Sequence, residues 1–169
     1  MRVPPEYWDW GHWAKALVTR DPFVIGEDSP YLLRWYVVPR NPYLNVYLHK
    51  FLRSDDDRAL HDHPWWFLSL LLKGGYIEHR EDGTVRRKRG SVAVRRADVL
   101  HRVELERDDE WVDPSDQDED GWFPIHYTEK PAWTLFFTGP KIREWGFKCP
   151  KGWLHWKEFD KRNGCGEFA

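Results

Sequence analysis

The sequence predicts a mainly β domain, and three observations carry that prediction. Aromatic residues make up 17% of the chain, with 12 tryptophans among its 169 residues. Bulky rings suit the pleated, half-buried surface of a strand better than a helix. The long apolar run from Trp65 to Leu72 lies between His63-Pro64 and Gly74-Gly75, and it has the length of a buried strand. Between two alternating segments stands Glu81-Asp82-Gly83-Thr84, the signature of a tight hairpin. At 41% hydrophobic, the chain can bury a substantial core. Its length suits one domain over 1–169 rather than two.

The elements follow in order. Trp10, Trp13, Ala14 and Leu17 keep helical spacing, which predicts a short N-terminal helix over residues 1–20 packed on a sheet. Asp21-Pro22 ends it, because the residue before proline disfavours the α region. Gly26 to Pro30 reads as a loop. Tyr31 to Val38 and Tyr43 to Leu52 are strands rich in aromatic and β-branched residues, parted by Pro39-Arg40-Asn41-Pro42. Arg53 to Arg58 is a charged loop whose acids read first as a solvated run, with loop caps and the surroundings of a metal site as the alternatives. Trp65 to Leu72 is the next strand.

Tyr76 to Arg80 and Val85 to Arg89 then form a hairpin about a type I′ turn at Asp82-Gly83. That register sets Glu78 opposite Arg87 and Tyr76 opposite Arg89. Arg86-Arg87-Lys88-Arg89 is therefore an alternating, ion-paired strand rather than a basic tail. Gly90 to Arg95 is a strand, Ala97-Asp98 a turn, and His101 to Leu105 another strand. Residues 106–130 are acidic and turn-rich, a surface insertion whose Trp122, Phe123, His126 and Tyr127 are placed to fold over a pocket mouth. Ala132 to Phe137 is a strong strand ended by Gly139-Pro140, and the aromatic tail from Trp145 to Trp156 packs outside the sheets.

A formal net charge of −2 gives no electrostatic reason to expect nucleic acid or an anionic membrane as partner. No apolar segment reaches the roughly 18 residues of a membrane helix, and residues 1–6 lack the apolar core of a signal peptide. Cys149 and Cys165 are too few for a disulfide framework. The expectation is two reduced thiols in a cytoplasmic protein. An open sheet edge would permit a homodimer.

The chemistry centres on His61-Asp62-His63. Residues two apart on a strand share a face, so two imidazoles can stand side by side. His101 follows forty residues after His61, just past the Ala97-Asp98 turn. Three neutral imidazoles that leave coordination positions open suit zinc-hydroxide or non-haem iron chemistry.

These residues resemble the two motifs of the cupin superfamily. The first runs roughly glycine, five residues, His-x-His, three or four residues, glutamate, six residues, glycine. Here it keeps His61, His63 and a closing Gly74. The second is glycine, five residues, proline, one residue, glycine, two residues, histidine. Here Gly90 and His101 keep the spacing, with Arg96 at the proline position and Asp98 at the glycine position. The resemblance covers residues 45–137 and implies a double-stranded β-barrel of jelly-roll type with metal held inside by His61, His63 and His101. The motif's glutamate ligand falls at Phe67 or Leu68, which cannot bind metal. The resemblance therefore implies a three-histidine site, as in the thiol-dioxygenase type of cupin. The string His-Asp-His-Pro-Trp, Gly-Gly-Tyr-x-Glu and His-Arg-Val-Glu is similar to small uncharacterised cupin-like proteins.

Other candidates surround these three. Glu78 and Tyr76 are the candidate catalytic groups if they face the cavity, Glu78 as general base; the hairpin register instead pairs Glu78 with Arg87. His49 either lines the cavity, as further ligand or donor, or is structural. Arg96, with Arg95 and Arg102, would give a fork for a substrate carboxylate or phosphate if turned inward. Asp62 should point away from its neighbours and pair with Arg58 or Arg102. The expected function is a divalent-metal enzyme on a small-molecule substrate, an iron-dependent oxygenase first, with Fe(II) ahead of Zn or Mn. The rival classes are a non-enzymatic cupin that binds a small acid, sugar or nucleotide, and an accessory protein that docks through its tail and insertion.

Overall fold

Two antiparallel sheets face each other in a computed structural model that describes residues 22–26, 30–55, 59–108, 111–112, 115, 121, 125–159 and 165. The larger sheet takes β1 (Phe23–Ile25), β2 (Leu32–Tyr36), β3 (Asn45–Phe51), β4 (Phe67–Lys73), β7 (Val92–Arg95) and β11 (Ala132–Thr138) in the order β1-β2-β3-β11-β4-β7. The smaller takes β5 (Gly75–Arg80), β6 (Gly83–Lys88) and β8 (His101–Leu105) in the order β6-β5-β8. His61 continues it by bridging to His101 on one side and Phe147 on the other. That bridge joins the hairpin of β12 (Gly146–Cys149) and β13 (Gly152–His155). The chain crosses between sheets from β4 to β5, β6 to β7, β7 to β8 and β8 to β11, which is a jelly-roll path.

Alternation decides the faces. On β3, Asn45, Tyr47 and His49 are buried, and on β4, Phe67, Ser69 and Leu71. Leu71 and Ala132 from one sheet meet Tyr76, Val103 and Leu105 from the other in one apolar cluster, with Phe51 against it. Burying a side chain such as Leu71 or Leu105 contributes about 1.5–3 kcal/mol. Gly74 makes the crossover from β4 to β5 at a φ of +81°, and a Cβ there would lie 2.6 Å from the Pro131 carbonyl oxygen. Only glycine fits both demands.

Several expectations change here. Among the described residues there is no helix; the N-terminal helix lies outside the described residues. The hairpin register is displaced by two residues: Arg80 pairs with Gly83, Glu78 with Val85 and Tyr76 with Arg87. Glu81 and Asp82 form the turn, and Gly83 opens β6 at a φ of +125°, as in a turn closed by a glycine bulge. A two-residue shift keeps face parity, so Glu78 and Arg87 still meet, diagonally. The insertion carries a two-stranded ribbon of β9 (Trp111–Val112) and β10 (Ile125–His126). Tyr127 lies under Arg107, whose guanidinium is 4.1 Å from the ring centre; Trp122 and Phe123 lie outside the described residues. The tail forms the β12–β13 hairpin. Its cysteines are not reduced thiols: Cys149 and Cys165 form a disulfide that closes sixteen residues. No helix among the described residues is long and apolar enough to cross a membrane.

Candidate metal centre

The turn at Ala97-Asp98 brings the two motifs together. His61 N–H donates to the His101 carbonyl and His101 N–H to the His61 carbonyl, each at 2.9 Å, while His63 N–H donates to the Ala97 carbonyl at 3.0 Å. The His-x-His segment is therefore a bridge and an irregular turn rather than a regular strand. Its two imidazoles converge all the same. Ring nitrogens of His61, His63 and His101 all lie within 4.8 Å of one another. His63 Nε2 stands 2.8 Å from His101 Nε2. Metal–imidazole bonds of about 2.0–2.1 Å put ligands at right angles about 3 Å apart, so this pair already has the separation of two cis ligands. The triad could hold a metal ion.

The far nitrogens are backed by carboxylates. His101 Nδ1 lies 3.5 Å from Glu78 Oε1 and His61 Nδ1 lies 4.0 Å from Asp55 Oδ2. Each carboxylate stands on the Nδ1 side of its imidazole, beyond a normal hydrogen bond for His61 and at its outer limit for His101. Asp55 is itself fixed by the Tyr31 hydroxyl and by Val103 N–H, the latter at 2.6 Å. Burial pushes the His61 imidazole down to about 4, with Asp55 opposing and His101 adding to the shift. Burial, then His101 and His61, push His63 well below the usual histidine range. Both rings are neutral at physiological pH, with lone pairs free for a metal.

Glu78 is the charge hub of the interior. It is 2% exposed and takes hydrogen bonds from Arg87 at 2.6 Å and Arg95 at 2.8 Å. Burial opposes its charge, yet His101, Arg95 and Arg87 together hold its carboxyl down to about 2. A carboxylate so acidic accepts protons poorly near neutrality, so its geometry suits orienting His101. Tyr76 sits in the apolar cluster with Leu71 and Val103, and burial, then Glu78, raise its hydroxyl above the usual range. Arg95 is the inward member of the arginine group. Arg96 stands on the surface, its side chain 83% exposed and paired with Asp98.

The glutamate position of the first motif is filled by Phe67. Its ring lies 4.9 Å from His63 and 5.4 Å from His101, so a hydrocarbon faces the triad where a carboxylate would stand. Phe136 stacks on Phe67 at 4.9 Å and lies tilted against His49 at 5.1 Å. His49 is thus one ring removed from Phe67 and is not among the converging three. Its Nε2 accepts from Arg34 Nε at 2.9 Å.

Asp62 points away from its neighbours, but its partners are in the tail rather than Arg102; Arg58 lies outside the described residues. It is 2% exposed and accepts from Arg143, from Gly146 N–H at 2.8 Å and from Trp153 Nε1 at 3.0 Å. Phe147 and Trp145 consequently lie 6.0 and 6.3 Å from the His61 ring. Asp62→Ala removes the acceptor of the buried Gly146 N–H and of Trp153 Nε1, and the anion beside Arg143. It is expected to cost about 2–4 kcal/mol in urea unfolding. A loss under about 0.5 kcal/mol would mean that the tail is held by other contacts. Asp55 belongs to the acidic loop read from the sequence as solvated, and its side chain is instead buried beside His61; sequence reading missed Arg34 and the Asp62 partners, which lie many residues from the histidines they adjoin.

No protein-family model matches the chain, and no curated protein matches it. Solved structures do. An RmlC-like cupin protein from Ralstonia eutropha is 13% identical at a TM-score of 0.48, over 82% of this chain and 74% of that one. A Klebsiella pneumoniae protein with a double-stranded β-helix domain is 12% identical at 0.47, over 74% and 90%. The EutQ protein of Clostridium difficile is 8% identical at 0.46, over 74% and 80%. The solved structures that this mainly β chain is similar to include cupin and double-stranded β-helix proteins.

Proposed function

We propose that the chain is a metal-dependent enzyme on a small-molecule substrate, with His61, His63 and His101 as ligands and an oxygenase-type reaction. The observation that carries this reading is the convergence of three histidine ring nitrogens with no carboxylate among the ligating atoms. When bound, the metal supplies a Lewis acid with open coordination positions. An all-nitrogen set disfavours manganese, which prefers oxygen ligands. Held by His61, His63 and His101, zinc would offer Lewis-acid or hydroxide chemistry and iron(II) would offer oxygen chemistry. Iron(II) is therefore our first assignment. The Phe67 ring packs against His63 and His101 on one side of the triad, and the Glu78 carboxylate lies 3.5 Å behind His101 Nδ1.

The second reading, a binding protein for a small acid, sugar or nucleotide, is favoured by one observation. The nearby carboxylate Glu78 is locked to two arginines and Tyr76 is in the core, so neither serves as a ready proton carrier. Metal analysis after loading with iron, manganese and zinc separates the two. Stoichiometric iron, with dioxygen uptake on a panel of thiols and keto acids, supports the enzyme; substoichiometric metal of every kind overturns it.

A further inference from the structure

The C-terminal hairpin makes one wall of the triad. Gly146 to Lys148 on β12 run beside Leu60 to Asp62. Lys148 N–H donates to the Leu60 carbonyl at 2.7 Å, Asp62 N–H donates to the Gly146 carbonyl at 3.0 Å, and Phe147 bridges His61. A second layer of rings lies over this strip. Phe159 stacks on Phe147 with ring centres 3.8 Å apart, and Trp156 stacks on Trp145 at 5.8 Å. Two aromatic layers therefore back the segment that carries His61.

The outer layer is held unevenly. Trp156 N–H donates to the Trp145 carbonyl at 3.2 Å, and Glu158 N–H donates to the His155 carbonyl at 2.9 Å. Past Glu158, Phe159 and Cys165 make no backbone hydrogen bond to another described residue. Their ties to β12 are the Phe159 stack and the Cys149–Cys165 bond, one residue beyond Lys148. With no ladder in support, the covalent bond is the main anchor. Closing a loop of sixteen residues lowers the population of opened chain by about a hundredfold. The two sulfurs differ in access. Cys149 is 8% exposed, whereas Cys165 is half-buried, so an incoming thiolate meets Cys165 first.

We propose that the Cys149–Cys165 disulfide is a redox-operated latch on the triad, opened by a dithiol reductant. One thiolate of the reductant attacks Cys165 Sγ, and the S–S bond breaks with Cys149 leaving as its thiolate. The second thiol of the reductant then displaces Cys165 from the mixed disulfide. Two electrons and two protons pass to the protein, which ends with two thiols, and the dithiol ends as a disulfide. Phe159 is then free to leave Phe147, the strip from Gly146 to Lys148 opens more often, and the His61 segment paired to it opens as well. Metal exchange is slow in the oxidised form and fast in the reduced one. Control of metal rests on the reading of the triad as a metal centre; coupling of the disulfide to the His61 segment does not.

The test uses the full chain in three forms: air-oxidised, reduced with dithiothreitol that is then removed under nitrogen, and Cys165→Ser. In the metal-free protein, amide exchange at His61, Gly146 and Lys148 is expected to be about 10–100-fold faster in the second and third forms than in the first. Leu71 and Leu105, in the core, should be unchanged. Zinc loaded into each form should pass to a chelator about tenfold faster or more from the same two. Reoxidation should restore the slow rates in the wild type only. Equal exchange in all three forms, acceleration that reaches Leu71 and Leu105 equally, or two free thiols in the oxidised sample would each overturn the proposal. Faster exchange at His61 with zinc release unchanged would overturn the control of metal. Faster exchange in a protein that takes up no zinc would sustain the latch on the His61 segment while the metal reading fails. Zinc uptake with equal exchange would do the reverse.

Discussion

Glu78→Gln is expected to destabilise the metal-free protein by about 3–5 kcal/mol, measured by urea unfolding. The substitution keeps the shape and removes the charge. Arg87 and Arg95, with side chains 15% and 12% exposed, then stand in the interior with no anion. The same change frees the His101 ring from the carboxylate behind it, and losses of this kind lower metal affinity by about 10–100-fold. Removing all three charges together, as Glu78→Leu with Arg87→Met and Arg95→Met, should recover much of the stability but not the metal affinity. The pH dependence has a definite sign. Glu78 titrates at about 2 in the folded chain against an ordinary value of 4.5. Its contribution is therefore complete above 4.5 and is lost as pH falls through about 2. That shift corresponds to about 3 kcal/mol. The wild type should lose stability across that acid window more steeply than Glu78→Gln. Parallel acid profiles would show that the arginines do not hold Glu78 charged.

His101→Ala is expected to abolish metal uptake, and so is His61→Ala, while His49→Ala retains it. His101 is the pivot of the three. It touches His63 through Nε2, bridges His61 through its backbone and rests on Glu78 through Nδ1. Two imidazoles cannot replace three in a site with no carboxylate ligand. The readout is metal per chain together with the thermal shift on loading, since a ligand at a hundred times its dissociation constant stabilises by about 2.7 kcal/mol. The wild type and His49→Ala should show that shift, and the two triad variants should not. Retention of metal by both triad variants would place the ions elsewhere.

Strands with strong alternation were legible from the sequence. His101 to Leu105 has the bounds expected of it, and Ala132 to Thr138 differs by one residue. The triad was legible because the second motif keeps its spacing, so one turn carries His101 to the pair. Phe67 was legible as a non-ligand, but its packing on two histidines depends on β4 meeting β11 and β7. What stayed hidden depends on long-range pairing. Arg34 and Thr134 are a hundred residues apart and become neighbours of His49 only through strand order. The Cys149–Cys165 disulfide needed the β12 hairpin to be known first. The β5–β6 register failed because Asp-Gly supports more than one turn, and local chemistry alone does not choose between them.

Asp62 has one more consequence. Its backbone N–H donates to the Gly146 carbonyl at 3.0 Å while its side chain takes the Gly146 N–H, and Lys148 N–H donates to the Leu60 carbonyl at 2.7 Å. The residue that spaces the two histidines is thus also the clasp of the C-terminal hairpin. Neither can come loose while the other stays in place. Local opening of the hairpin and scattering of the histidine pair are then one cooperative event, and amide exchange at Gly146, Lys148 and His61 should report a common opening free energy.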